Sequence, residues 1–256
     1  MDNPLNVALV QTSLVWESPM ENRRHISDLL AQVKADMIVL PEMFSTGFTM
    51  GPAAVAETME GETVQWMKSW AREKSAAICG SVVIQEDVHY YNRLLFVHPS
   101  GEIQYYDKRH LFSLAGEDQV YSTKGSRLIV DYRGWKICPL ICYDLRFPVF
   151  SRNDVDYDLL LYVANWPQPR ISAWDALLKA RAIENMCYVV AVNRIGTDQN
   201  GHSYPGHSQI LDYFGNVVQS AGNEAVVKQS TIDRSAMLQA RQKLPFLNDR
   251  DDFTVR

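Results

Sequence analysis

Short apolar runs alternate with amphipathic stretches along nearly the whole chain, and this alternation constrains the fold more than any other feature of the sequence. Residues 135–141 form an apolar run typical of a buried strand, whereas residues 171–186 place Trp174 and Leu178 on one face of a helix. Strands that alternate with helices predict an α/β fold. Because no linker rich in Pro, Gly or Ser interrupts the pattern, we expect one domain over residues 1–256.

Local signals give the expected positions of the elements. Ser18, Pro19 and Glu21 are the residue types of a capping box with proline at the first helical position, so a helix is expected to begin there. Residues 108–126 show no regular period and are expected to be irregular. The predicted helices are 19–34, 62–74 and 171–186, and the predicted strands are 6–11, 36–41, 77–84, 93–98, 102–106, 127–131, 135–141, 158–163, 187–193 and 225–232, with a hairpin over 208–219.

Composition excludes several classes of function. The chain has 25 Lys and Arg against 30 Asp and Glu, a net charge of −5, and no long basic run, so no nucleic-acid partner is expected. No apolar stretch approaches the ~18 residues that span a bilayer, and no cationic segment precedes an apolar one at the N-terminus, so neither a membrane helix nor a secretory signal is expected. The four cysteines form no C-x-x-C pair and the six histidines no H-E-x-x-H motif. We therefore expect no metal site and a reducing, cytoplasmic location.

Polar residues follow two similar predicted strands. Residues 36–42 and 158–165 each contain an acid, a buried-type strand and then a polar residue, Glu42 or Asn165. This similarity suggests a duplicated βα architecture with functional groups at the strand ends, where α/β sheets usually carry them. Glu42 is then a candidate base, and the alternative is a solvated surface acid.

Cys142 is the strongest candidate nucleophile. It ends the apolar run 135–141 and is followed at once by a polar turn, and such a junction can expose a thiol beside free backbone N–H groups. The alternative is a core thiol, the interpretation we give to the other three cysteines. Lys108 follows a predicted strand and is either a site residue or a surface charge. His110 and His207 leave open a papain-like pairing of cysteine with histidine, although neither has an Asn or Asp at a diagnostic spacing.

Three segments resemble the Glu, Lys and Cys motifs of the nitrilase superfamily of carbon–nitrogen hydrolases. They are Leu40-Pro41-Glu42-Met43-Phe44, the segment 106–112 around Lys108 and the segment 141–148 around Cys142. Residues 164–167, 180–185, 193–196 and the hairpin near the C-terminus are also similar to that family, and the matches run in order from about residue 6 to residue 232. The likeness is strongest to the omega-amidase, or Nit-type, branch, whose members hydrolyse the amide of 2-oxoglutaramate and 2-oxosuccinamate. Many of those members carry an acid where this chain has Val149.

The resemblance implies a four-layer α-β-β-α sandwich, a homodimer and a hydrolase that needs no metal or organic cofactor. It implies that Cys142 attacks a small-molecule amide to form a thioester, with Glu42 as base and Lys108 stabilising the oxyanion together with the backbone N–H of Tyr143. We expect the ammonium of Lys108 and the base to favour the thiolate. The family's further carboxylate is assigned to Glu117, with Asp118 as the competitor. Two alternatives stay open: a hydrolase of another amide, an N-carbamoyl compound or a nitrile, and a non-catalytic member of the fold.

Candidate substrate-binding residues lie next to the three motifs. Arg146 is four residues beyond Cys142 and could hold a substrate carboxylate with a bidentate fork, or it could form a salt bridge with Asp144. Arg170 is a weaker candidate for the same role. The tail over 244–256 is expected to pack on the core or on a partner subunit, where Phe246 and Phe253 would suit docking. The remaining candidates for lining the pocket are Tyr143, Asn165 and Trp166.

Overall fold

Two six-stranded sheets form the centre of the protein in the computed structural model, which describes residues 4–254. The strands are β1 (Leu5–Gln11), β2 (Met37–Val39), β3 (Ala77–Glu86), β4 (His89–Val97), β5 (Ile103–Asp107), β6 (Val130–Tyr132), β7 (Trp135–Ile141), β8 (Leu159–Ala164), β9 (Tyr188–Asn193), β10 (Ile195–Thr197), β11 (Ser203–Pro205), β12 (Gln209–Leu211), β13 (Val217–Ser220) and β14 (Val226–Ile232). The helices are α1 (Pro19–Leu30), α2 (Pro52–Val55), α3 (Glu62–Lys74), α4 (Glu117–Val120), α5 (Ile171–Asn185) and α6 (Arg234–Lys243).

Each sheet has three parallel strands at its centre. The first sheet has the order β14-β1-β2-β3-β4-β5, with β1, β2 and β3 parallel, and the second has the order β13-β12-β9-β8-β7-β6, with β7, β8 and β9 parallel. Strands β10 and β11 form a separate hairpin. The carboxyl ends of parallel strands meet at one edge of a sheet, so the residues that follow β2 lie at one edge, as do those that follow β7 and β8.

Alternating side chains on the strands build the four layers. In β1, Val7 and Leu9 belong to the apolar core between the two sheets, together with Ile137 of β7. Ala8, on the opposite face of β1, packs in a second core that includes Ile26 of α1, and α3 contributes to the same core. Helix α5 packs on the other sheet. The expected four-layer sandwich is confirmed, because each sheet buries one face against the other sheet and its other face under helices.

The first helix differs from its prediction at both ends. Ser18 makes no side-chain capping hydrogen bond, so the predicted capping box is wrong. Asn22 fixes the entry instead, since its side chain bonds the backbone N of Val15 at 2.8 Å and the backbone O of Val15 at 2.7 Å. The helix ends at Leu30 and not near residue 34.

Several short elements were not predicted from the sequence. The segment 108–126 contains a 3₁₀ turn and the short helix α4, while β10, β11 and α6 lie where no element was expected. Helix α6 has a weak apolar pattern, and only Met237 and Ala240 are buried. The sequence nevertheless marks its start with an N-cap residue, Asp233, whose side chain accepts hydrogen bonds from the backbone N of Ser235 and Ala236.

The C-terminal tail packs in part on its own chain. Leu247 is buried, and Arg250 pairs with Asp156 at 2.9 Å. Phe246 and Phe253 are 58% and 38% exposed, so these aromatic rings remain available at the surface. Within residues 4–254, every helix is too short or too polar to cross a bilayer.

Candidate active site

Four side chains that the sequence pointed to come together although they are far apart along the chain. Glu42 follows β2, Lys108 follows β5, Cys142 follows β7 and Asn165 follows β8. Asn165 of the second sheet contacts Glu42 of the first, with 2.8 Å between its backbone N and Glu42 Oε2 and 2.7 Å between its Nδ2 and the backbone O of Glu42. The site therefore lies where strand ends of the two sheets meet.

Lys108 lies between two buried carboxylates. Its Nζ is 2.9 Å from Glu42 Oε1 and 2.9 Å from Glu117 Oε2, and all three side chains are almost fully buried. Burial alone would lower the pKa of Lys108, but the negative charges of Glu117 and Glu42 outweigh burial and raise the pKa above its usual value. Lys108 is therefore a permanently charged ammonium at neutral pH.

Glu117 is held from two sides. Its Oε2 accepts a hydrogen bond from the backbone N of Phe112 at 2.6 Å, and both of its oxygens contact Lys108 Nζ. Burial raises the pKa of Glu117, and the Lys108 charge opposes this shift. The competitor Asp118 is exposed and accepts a hydrogen bond from its neighbour Gln119, so the buried carboxylate beside Lys108 is that of Glu117.

Asn92 joins the two carboxylates, and sequence reasoning missed it. Its Nδ2 donates to Glu42 Oε1 at 2.8 Å and to Glu117 Oε1 at 3.2 Å. Its Oδ1 is buried and has no partner in the described part of the chain. The available signal was a lone amide inside the apolar strand β4, because an uncharged polar residue in such a strand needs a partner.

Cys142 lies at a sharp turn that follows β7. Its backbone is in the left-handed region at φ 43°, which is uncommon for a non-glycine residue and is typical of strained functional positions. A 3₁₀ helix begins at Cys142, and the thiol donates to the backbone O of Asn165 over 4.0 Å. Cys142 is only partly buried, whereas the other three cysteines are buried among apolar residues.

The protonation state of the thiol differs from the expectation. Burial and the charge of Glu42 raise the pKa of Cys142 well above its usual value, and the opposing effect of Lys108 is smaller. The expected preference for a thiolate is therefore wrong for the unliganded site. Cys142 rests as a thiol, so its proton has to leave when the sulfur attacks.

Asp144 holds the turn in place. Its Oδ2 accepts from the backbone N of Ile141 and from the hydroxyl of Tyr106, both at 2.9 Å. Its Oδ1 contacts the backbone N of His110 at 3.1 Å and His110 Nδ1 at 2.8 Å. Asp144 thus links the segment that carries Lys108 to the segment that carries Cys142. The alternative salt bridge between Arg146 and Asp144 is not formed, because these donors occupy the carboxylate.

A cavity of about 500 Å³ opens above the thiol. Arg146 and Arg170 both line it, and their guanidinium groups lie over Trp166 at 4.9 Å and over Phe112 at 5.2 Å. Neither guanidinium has a carboxylate partner among residues 4–254. The predicted residues in the cavity wall are Lys108, Cys142, Tyr143, Arg146, Asn165, Trp166 and Arg170.

The two histidines of the papain-like alternative have other contacts. His110 bonds Asp144 and stacks on Phe147 with a centroid distance of 3.7 Å, and His207 Nδ1 is 2.9 Å from Asp175. Neither histidine lines the cavity above Cys142. In residues 4–254, no group of three His, Cys, Asp or Glu side chains has the arrangement of a metal site.

The amino-acid sequence matches a known enzyme family. The model of the carbon-nitrogen hydrolase family matches residues 6–242. The chain therefore belongs to the carbon-nitrogen hydrolase family.

Individual relatives are similar over nearly the full length. An omega-amidase of Escherichia coli, YafV, is 45% identical over 253 residues, and the match covers 98% of each chain. A 2-oxoglutaramate amidase of Bacillus subtilis is 31% identical, with 95% of this chain and 96% of the relative covered. A solved structure of a CN-hydrolase superfamily protein from Xanthomonas campestris, which carries an arsenic adduct in its active site, has a TM-score of 0.97 and 42% identity over the whole of both chains.

Proposed function

We propose that this protein is an omega-amidase that hydrolyses the side-chain amide of 2-oxoglutaramate and 2-oxosuccinamate to the 2-oxo dicarboxylic acid and ammonia. Relatives with these activities in their names support the substrate class. The observation that carries the proposal is one cavity lined by a partly exposed thiol, by the buried Lys108 and by two guanidinium groups that have no carboxylate partner among residues 4–254. Such a cavity joins a nucleophile to binding groups for an anionic substrate.

In the first half of the proposed reaction, Cys142 attacks the amide carbon. Its thiol proton passes to Glu42 as the carbon–sulfur bond forms. The ammonium of Lys108 and the backbone N–H of Tyr143 stabilise the negative oxygen that develops, and each well-placed donor contributes about 3 kcal/mol. Glu42 then gives its proton to the departing nitrogen, so ammonia leaves and a thioester remains on the sulfur.

In the second half, water replaces ammonia. Glu42 takes a proton from the water, the resulting hydroxide attacks the thioester carbon, and the proton returns to the sulfur as the carboxylic acid leaves. Glu117 has a positioning role, because its two oxygens hold Lys108 Nζ at 3.0 and 2.9 Å.

The proposed substrate carries a carboxylate and a 2-oxo group at the end away from the amide. Arg146 is the first candidate to bind that carboxylate, because its guanidinium is half-buried on Trp166 and has no carboxylate partner among residues 4–254. Arg170 lies in the same cavity on Phe112 and offers a second cation. Tyr143 and Trp166 would then form the walls that exclude water.

A substrate panel with one variant tests this function. We expect the wild type to release ammonia from 2-oxoglutaramate and 2-oxosuccinamate far faster than from glutamine, asparagine or a simple nitrile. Cys142→Ala should abolish release while it keeps the thermal unfolding temperature close to that of the wild type. Activity in Cys142→Ala would remove the nucleophile assignment, and a preference for the nitrile or for an N-carbamoyl compound would replace the substrate assignment.

The proposal extends to the form of the protein in the cell. We propose one carbon-nitrogen hydrolase domain over residues 1–256, working as a homodimer in the cytoplasm. The exposed rings of Phe246 and Phe253 would suit a subunit contact. The thiols support a reducing compartment, since all four cysteines are free.

A further inference from the structure

The carboxylate of Glu42 is fully occupied by hydrogen-bond donors. Its Oε1 accepts from Lys108 Nζ at 2.9 Å and from Asn92 Nδ2 at 2.8 Å. Its Oε2 accepts from the backbone N of Asn165 at 2.8 Å and from Asn165 Nδ2 at 3.3 Å. A carboxylate offers about four lone-pair positions, so these four donors leave no position for a proton. A base held in this way has to release one donor before it can act.

The four donors differ in how easily they leave. Lys108 also contacts both oxygens of Glu117, and its departure would separate buried opposite charges. Asn92 is fixed inside β4, and the backbone N of Asn165 is fixed at the end of β8. The carboxamide of Asn165 has the longest contact, and its Nδ2 keeps a 2.7 Å bond to the backbone O of Glu42 when the 3.3 Å contact breaks. The carboxamide of Asn165 is therefore the donor whose release from Glu42 requires the least free energy.

The orientation of this carboxamide is set by Glu42. Asn165 Oδ1 is buried and has no hydrogen-bond partner among residues 4–254. The reversed orientation would place this oxygen against two acceptors, the backbone O and Oε2 of Glu42, and would repel both. The side chain is thus held with its Nδ2 toward Glu42 by the two acceptors of that residue.

Asn165 also contacts the thiol. The sulfur of Cys142 donates to the backbone O of Asn165 over 4.0 Å, so one residue holds both the proton donor and the proton acceptor. We propose that Asn165 is a positioning residue whose carboxamide holds Glu42 Oε2 in the resting enzyme and releases it to take the thiol proton during attack. This inference rests on the proposed function, in which Glu42 is the base.

Asn165→Ala tests the role through the pH dependence of kcat/KM. The variant removes both carboxamide contacts and keeps the backbone N–H. Loss of a hydrogen bond to an anionic base favours the protonated, inactive form of the variant, so the acidic limb of the profile should move up by about one pH unit. Asn165→Asp keeps the shape and adds a second carboxyl group beside Oε2, so its limb should move further in the same direction. KM should change little in both variants.

Asn193→Ala is the matched control. Asn193 lies beside Ala164 in the β8–β9 pairing and holds the same loop, since its side chain bonds the backbone N of Trp166 at 2.7 Å and the backbone O of Trp166 at 2.9 Å. Its side-chain hydrogen bonds go to the backbone of this loop and of Gly206. We expect Asn193→Ala to lower stability and kcat with an unshifted acidic limb.

Three outcomes of the comparison are distinct. An acidic limb of the kcat/KM profile that moves to higher pH in the Asn165 variants, but not in Asn193→Ala, supports the positioning role. A lower kcat with an unshifted limb, as in Asn193→Ala, would reduce Asn165 to a structural residue. A higher KM with an unshifted limb would return Asn165 to the substrate-binding role expected from the sequence.

A second readout separates this inference from the substrate assignment. The rate at which iodoacetamide alkylates Cys142, followed by mass spectrometry across the same pH range, depends on transfer of the thiol proton and not on the natural substrate. Asn165→Ala should shift the pH dependence of this rate in the same direction as that of kcat/KM. Unchanged alkylation in Asn165→Ala would overturn the inference even if the enzyme hydrolyses 2-oxoglutaramate, and a shift would support it even if the natural amide is different.

Discussion

Asp144→Asn should weaken both the fold and the reaction, because Asp144 is the carboxylate that ties the Lys108 segment to the Cys142 turn. Each oxygen of Asp144 accepts one backbone N–H, from Ile141 on one side and from His110 on the other. An asparagine has a single acceptor oxygen, so its NH₂ group must face one of these two N–H groups in either orientation. Tyr106 and His110 can change their donor roles, whereas a backbone N–H cannot.

The magnitude follows from that loss. One buried backbone N–H without a partner costs about 1–3 kcal/mol, and the loss of the anion weakens the three other contacts, so we expect a total of about 2–4 kcal/mol. In a protein of this size that loss corresponds to a fall of roughly 5–12 °C in the unfolding temperature. A displacement of the turn by a fraction of an ångström would lower kcat/KM by about 10- to 100-fold.

Differential scanning fluorimetry and steady-state hydrolysis of 2-oxoglutaramate check these two effects on the same samples. Asp158→Asn is the matched control, because Asp158 is equally buried and bonds Lys136 and Arg234, but lies at the far end of β8 from the site. The control should lose stability and keep kcat/KM. Wild-type kcat/KM in Asp144→Asn, or an equal loss of activity in Asp158→Asn, would refute the positioning argument.

Two further predictions concern the lysine cluster and the cavity. Glu117→Gln should lower kcat at least 10-fold with KM nearly unchanged, because the single oxygen of the amide cannot replace both carboxylate oxygens that bind Phe112 N and Lys108 Nζ. Steady-state kinetics check this, and full activity would make Glu117 a structural acid. Arg146→Met should raise KM for 2-oxoglutaramate at least 10-fold, with a smaller effect on a neutral amide of the same length. An equal change for both substrates in a parallel assay would argue against carboxylate binding by Arg146.

The positions of the longer elements follow from the sequence because their cause is local. Residues 135–141 form β7 as predicted, since a short, mostly apolar run between polar turns is typical of a buried strand. The helix over residues 171–186 is also confirmed, with Trp174 and Leu178 buried on its inner face. The ends of the elements were less predictable. At Ser18, the side chain of Asn22 makes the contacts at the start of the helix, and the capping pattern does not include them.

The sequence determined the α/β class, the family and the residue types at the strand ends, including Glu42, Lys108 and Cys142. Only the tertiary structure decided that Asn92 and Asn165 hold the Glu42 carboxylate and that the Cys142 thiol rests protonated. The physical reason is distance along the chain. Periodicity and turn chemistry act over a few residues, whereas these contacts join segments from both sheets and depend on strand register, packing and the burial of charge, which no local pattern specifies.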